Sequence, residues 1–141
     1  MSTGSGAVAF GVPPEVAFDY LVDPRNRPAW QASLSRVEAV TGEPRIGQRW
    51  VDVTRPGLRP AMETTELDRP HRWAELGRWR GMRAALALTF VAADDGCEVV
   101  FEFGVEGDGL LRPLGAALTA AAVPAVRADL RRAADILSRR S

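Results

Sequence analysis

No lysine occurs in this chain; all 18 basic residues are arginine. Schiff-base chemistry and a lysine phosphate clamp are therefore excluded. There is one cysteine, Cys97, and one histidine, His71. A lone thiol rules out an intramolecular disulfide and fits a reducing cytoplasm. One histidine, one cysteine and scattered acids give no metal-ligand spacing, so neither a metal nor a cofactor is expected. Net charge is missing too, with 18 acidic against 18 basic residues, which argues against a nucleic-acid surface. The sequence has no Gly-x-Ser-x-Gly, no glycine-rich phosphate loop and no dinucleotide fingerprint. Its longest apolar stretch, around Leu114 to Val126, is broken by Gly115, Thr119 and Pro124. That stretch is too short and too rich in small residues for stable membrane insertion. Met1 to Gly6 is Ser/Gly-rich and uncharged, without signal-peptide architecture, so a cytoplasmic location is expected.

What is present is a hydrophobic fraction of 46% over 141 residues, enough for one domain, 1–141, with a real core. The last third carries the clearest pattern. Val99, Phe101, Phe103 and Val105 are apolar at every second position, with Glu98, Glu102 and Glu106 between them. Side chains on a strand alternate faces, so this is a sheet strand with one dry face and one wet face. After Gly107-Asp108-Gly109, with Asp108 as a helix N-cap, a stripe follows. Leu111, Leu114, Leu118, Ala122, Val126, Leu130, Ala133 and Leu137 recur at three- and four-residue steps. Such a helix, of about 27 residues and roughly 40 Å, can cross the dry face of a whole sheet. Its middle is small (Ala120, Ala121, Ala122, Ala125), so the space beneath it need not be filled.

Earlier in the chain, residues 7–12 read as a first strand. Pro13-Pro14-Glu15 opens a helix with Phe18, Leu21 and Val22 on its apolar side, ending at Asp23-Pro24. Residues 25–32 form a second short helix carrying Trp30. Strands follow at 35–41, 48–55, 61–68, 71–79 and 82–92, separated by Gly42-Glu43-Pro44, Pro56-Gly57 and Arg69-Pro70. Asp94-Asp95-Gly96 is a hairpin turn leading to the last strand. The order is a strand, two helices, about six antiparallel strands and a long helix, which makes an α+β domain.

The run Asp23-Pro24-Arg25-Asn26-Arg27-Pro28-Ala29-Trp30, then Val37, then Ile46-Gly47-Gln48-Arg49-Trp50, resembles the START-like (SRPBCC), polyketide cyclase/dehydrase superfamily. Glu66-Leu67-Asp68-Arg69-Pro70-His71-Arg72 and Asp94-Asp95-Gly96-Cys97-Glu98-Val99 continue the likeness over nearly the whole chain. Cys97 departs from the threonine frequent there and reads as a small buried residue. The resemblance implies a helix-grip fold, in which a curved seven-stranded antiparallel sheet wraps a long C-terminal helix around a tunnel. It also implies a small hydrophobic ligand (polyketide, lipid or isoprenoid-like) bound or transported there. The alternative is a cofactor-free polyketide aromatase/cyclase using a polar group in the same cavity. The protein would act as a monomer or homodimer without nucleic acid.

Candidate ligand-binding residues are Trp30, Trp50, Met62, Trp73, Leu86, Leu88, Phe90, Val99, Phe101, Phe103, Leu118 and Ala122. Face parity adds polar candidates. If Trp50 points inward, so do Asp52 and Thr54; if Trp73 does, so does Glu75; Met62, Thr64 and Glu66 share a face. The opposite parity puts Val51 and Val53 inside and the acids in water, and one bulge would switch the two. An inward acid is a candidate general acid or base, paired with Arg83, or with Arg49 after a register slip. Asp52, Glu75 and Arg83 are thus the catalytic candidates. His71 reads as exposed and Cys97 as structural. Pro124 frees the carbonyl of Ala120 and bends or kinks the long helix.

Overall fold

The computed structural model describes residues 3–140. Seven strands, β1 (Gly4–Phe10), β2 (Leu34–Glu38), β3 (Arg49–Thr54), β4 (Ala61–Asp68), β5 (Arg72–Trp79), β6 (Met82–Ala93) and β7 (Gly96–Gly107), form one curved antiparallel sheet. The spatial order is β1-β7-β6-β5-β4-β3-β2, so the first two strands in sequence are the two edges. The chain crosses from one edge to the other through α1 (Pro14–Leu21), a 3₁₀ turn at Pro24–Asn26 and α2 (Arg27–Trp30). The long α3 (Arg112–Arg140) packs against β1 and β7. This is the helix-grip arrangement expected from the sequence. The first strand begins earlier than the expected 7–12, because Gly4 to Phe10 pair in unbroken register with Phe103 to Cys97.

The concave face divides along the strands. Toward the β6–β7 hairpin, Phe10, Phe18, Leu21, Trp73, Leu88, Phe90, Val99 and Phe101 pack with Leu130, Ala133 and Leu137 of α3 into a solid core. Phe18 meets Phe90 edge-to-face at 5.2 Å. Toward the other end, Ala122, Ala125 and Val126 of the helix line a cavity instead of meeting the sheet, and the packing opens.

Two expectations about α3 are corrected. Leu114 and Leu118 are exposed (48% and 44%), not part of the buried stripe. The side facing the sheet in this half consists of Gly115 and Thr119, followed by the partly buried Val123. A Cβ on Gly115 would come 2.6 Å from the carbonyl oxygen of Val105, so only glycine lets the helix backbone approach this closely. Thr119 Oγ1 accepts from the Val105 N–H and donates to the Gly115 carbonyl, both at 2.8 Å, which ties helix to strand. The stretch Gly109–Arg140 is also long and apolar enough, by length and composition, to cross a membrane; the apolar window responsible is mostly exposed. Second, Asp108 caps the short Gly109–Leu111 turn by position but makes no side-chain cap hydrogen bond. Its carboxylate is taken by Arg83 instead. Pro124 sits within an unbroken α3.

Candidate functional site

The site begins at the second helix. Asp23 accepts a hydrogen bond from the Arg25 N–H at 3.1 Å, and prolines 24 and 28 set the backbone angles of the two short turns. Asn26 Nδ2 donates to the Tyr20 carbonyl at 2.9 Å. Arg132 of α3 donates to the Trp30 carbonyl at 2.8 Å, and Asp129 accepts from the Ala32 N–H at 3.2 Å. The turn is thereby fastened to α3. Residues three and four apart share a helix face, so Arg27, Trp30 and Gln31 point the same way, into the interior.

There Arg27 meets two carboxylates. Its Nε and Nη2 reach Asp52 Oδ1 and Oδ2 at 3.1 and 2.9 Å, a bidentate pairing. Its Nη1 and Nη2 reach Glu75 Oε1 and Oε2 at 2.8 and 3.2 Å. Gln31 Oε1 lies 3.3 Å from Nη2. The indole N–H of Trp50 donates to Asp52 Oδ1 at 2.9 Å, and the guanidinium sits 5.1 Å from the Trp50 ring centre. All three charged side chains are at most 6% exposed. Burial pushes the Glu75 carboxyl up from its ordinary pKa; Arg27 pulls it down and Asp52 pushes it up again. Burial disfavours the Arg27 cation, but the Glu75 and Asp52 charges outweigh that and hold it firmly protonated.

This cluster forms part of the wall of a cavity of about 310 Å³ between the sheet and α3. The remaining wall is largely apolar: Met62, Gly77, Trp79, Met82, Ala84, Leu86, Phe103 and Val105 from the strands, and Ala122, Ala125 and Val126 from the helix. Asp129 also faces it; burial raises its pKa, against the Ala32 N–H and Arg132. A second hollow of similar volume lies over small side chains such as Ala74, Ala85 and Ala87. Glu75 and Glu102 are on its lining, but Arg27 and Asp52 are not.

Of the residues singled out from sequence, Trp30, Met62, Leu86, Phe103 and Ala122 line the cavity, as do Asp52 and Glu75. Trp50 is buried beside it, holding Asp52. Trp73, Leu88, Phe90, Val99 and Phe101 belong to the packed core, where α3 rests on the sheet. Leu118 points away into solvent. Glu66 does not share the face of Met62 and Thr64. A bulge between Thr64 and Glu66 sets Leu67 opposite Trp73 and turns Glu66 to the far side, where it pairs with Arg72 at 2.6 Å. Arg83 reaches the cavity's edge but pairs with Glu106 and Asp108 rather than with the buried acids. Arg49 lies 3.8 Å from Glu63, also away from them. Their partner, Arg27, escaped the sequence reading, although its place three residues before Trp30 on a helix was the available signal. His71 is exposed. Cys97 is buried, and burial, with Glu15 adding to it, pushes its thiol up to about 11.

A curved sheet gripping a helix over a cavity with a polar patch defines a helix-grip protein of the small-molecule-handling kind. The chain belongs to the polyketide cyclase/dehydrase and lipid transport family, whose model matches residues 2–141. Membership supports the binding of a small molecule in general terms. Among solved structures, protein MLL2253 from Mesorhizobium loti is similar at 16% identity and a TM-score of 0.80, with 99% of each chain covered. Ara h 8.0201 is similar at 14% identity and a TM-score of 0.76, with 96% of each covered. A conserved protein from Geobacillus kaustophilus is similar at 13% identity and a TM-score of 0.75, covering 98% of this chain and 96% of that one. At such identities these likenesses speak for the fold alone. No protein of curated function matches the sequence.

Proposed function

We propose that this protein binds and carries a small, mostly apolar molecule in the cavity between the sheet and α3. The observation behind the reading is the cavity itself: about 310 Å³, largely apolar, with one buried charged cluster on its wall. That volume lies at the lower end of the range typical of small-molecule sites. Apolar burial supplies affinity at roughly 25 cal/mol per Å², and the cluster sets orientation. The ligand is of polyketide, lipid or isoprenoid type, and the protein works in the cytoplasm. Native mass spectrometry of protein purified from its own host tests this. A retained apolar molecule supports carriage; failure to retain or bind any apolar compound overturns it.

A second reading, cyclase or dehydratase chemistry without a cofactor, is favoured by one feature. Glu75 is a buried carboxyl with a raised pKa, held beside a guanidinium on the cavity wall. It could give a proton to a carbonyl or hydroxyl leaving group while Arg27 stabilises developing negative charge. Turnover of a poly-keto chain by the wild type and its loss in Glu75→Gln would support catalysis. Equal turnover by both would remove Glu75 from that role.

A further inference from the structure

The buried cluster is unbalanced. Asp52 from β3 and Glu75 from β5 bring two carboxylates, whereas α2 brings one guanidinium. The other cations around the cavity are placed differently. Arg132 is paired with Asp129 on α3, Arg83 on β6 with Glu106 and Asp108, and Arg78 stands exposed at the mouth. Hydrogen bonding tells the same story. Arg27 uses four of its five N–H groups on the two acids and Gln31. Each Glu75 oxygen accepts only from Arg27 among the described residues, and each can accept a second hydrogen bond. Thr64, directly across from Glu75 in the sheet, has a fully buried hydroxyl with no partner among the described residues. The cluster therefore has spare acceptors and lacks a positive charge.

We infer that the cavity takes an apolar molecule bearing a protonated amine, whose ammonium group supplies the second cation to the Arg27–Asp52–Glu75 cluster. This rests on the proposed binding function and narrows its ligand class. A proton on Glu75 is the other way to neutralise the surplus charge. An ammonium ion replaces that proton, so the exchange releases up to one proton to solvent as the amine binds. The hydrocarbon body then lies along Met62, Leu86, Phe103 and Val126.

The test compares octylamine, octanol and octanoate, three probes with the same chain length and different head groups. Binding is followed by calorimetry in two buffers of different ionisation enthalpy. Octylamine should bind about tenfold or more tightly than octanol, as a charge-assisted hydrogen bond predicts, and octanoate weakest. Proton release should accompany octylamine alone. In Glu75→Gln the surplus charge is gone, so the amine preference should shrink to about twofold or less and the proton release should vanish. If that variant does not fold, the wild-type rank order and proton release decide alone. Equal binding of all three probes overturns this inference and leaves the binding function standing. Tightest binding of octanoate also overturns it and assigns the head group to Arg78. No binding of any probe overturns both.

Discussion

Replacing Arg27 by methionine probes the cluster most severely. The substitution keeps an unbranched apolar stem and removes the guanidinium and its charge. Asp52 and Glu75 are then left buried with no counter-charge, and the cation–π contact with Trp50 is lost. Breaking a buried ion pair from one side costs about 3–5 kcal/mol. A domain of this size has a total stability of order 10 kcal/mol, so the variant should still fold. Its Tm should fall by roughly 10 °C, at about 2–4 °C per kcal/mol. The loss should depend on pH. Burial already raises the folded-state pKa of Glu75, and removing Arg27 takes away the largest influence holding it down. A carboxyl with a raised folded pKa stabilises fully below its unfolded value, and that stability is lost as pH rises through the folded value. The gap between wild type and variant should therefore be smallest in acid and widen above the ordinary glutamate range. Replacing all three groups (Arg27→Met, Asp52→Leu, Glu75→Leu) should be close to neutral. Removing a buried ionic cluster often gains about 1–4 kcal/mol, but here the Trp50 N–H is left unpaired at a cost of about 1–3 kcal/mol. Urea unfolding from pH 4 to pH 8 measures all of this. A single-variant loss below 1 kcal/mol at pH 8, or one constant with pH, would refute the reasoning.

Three smaller predictions follow from other parts of the fold. Thr119→Val leaves the Val105 N–H without its side-chain acceptor and should cost about 1–3 kcal/mol in urea unfolding; no change would mean the helix–strand tie is unimportant. Leu118→Ser removes an exposed leucine and should change stability by no more than about 0.5 kcal/mol, whereas a loss of several would return Leu118 to the core. Cys97, buried and with its pKa near 11, should react with a thiol reagent at pH 8 only after unfolding; rapid reaction of native protein would contradict its placement.

The legible parts of the chain were those where one period held without interruption. Strand alternation tied Asp52 to the face of Trp50 and Glu75 to the face of Trp73 but left open which face turned inward; the structure buries all four. Glu66 was misplaced because a bulge adds a residue without leaving a mark in composition. Leu114 and Leu118 misled for a different reason. Hydrophobic spacing finds a helix's apolar side, but the sheet approaches the side with the smallest residues, Gly115 and Thr119, because the backbones come so close. Arg27 was missed because a charged residue on so short a helix is ordinarily solvent-facing. Its role depends on α2 being pinned to α3 from about a hundred residues away in sequence.

The central claim is that an apolar molecule sits between the sheet and the middle of α3, where Ala122 leaves room. Titrating the fluorescent probe N-phenyl-1-naphthylamine into wild type and Ala122→Phe tests it directly, because the new ring projects from a residue that lines the cavity. Saturable binding to the wild type, weakened tenfold or more (about 1.4 kcal/mol) in a variant of nearly unchanged Tm, is the predicted result. Equal binding to both proteins, or no binding to the wild type, would contradict it.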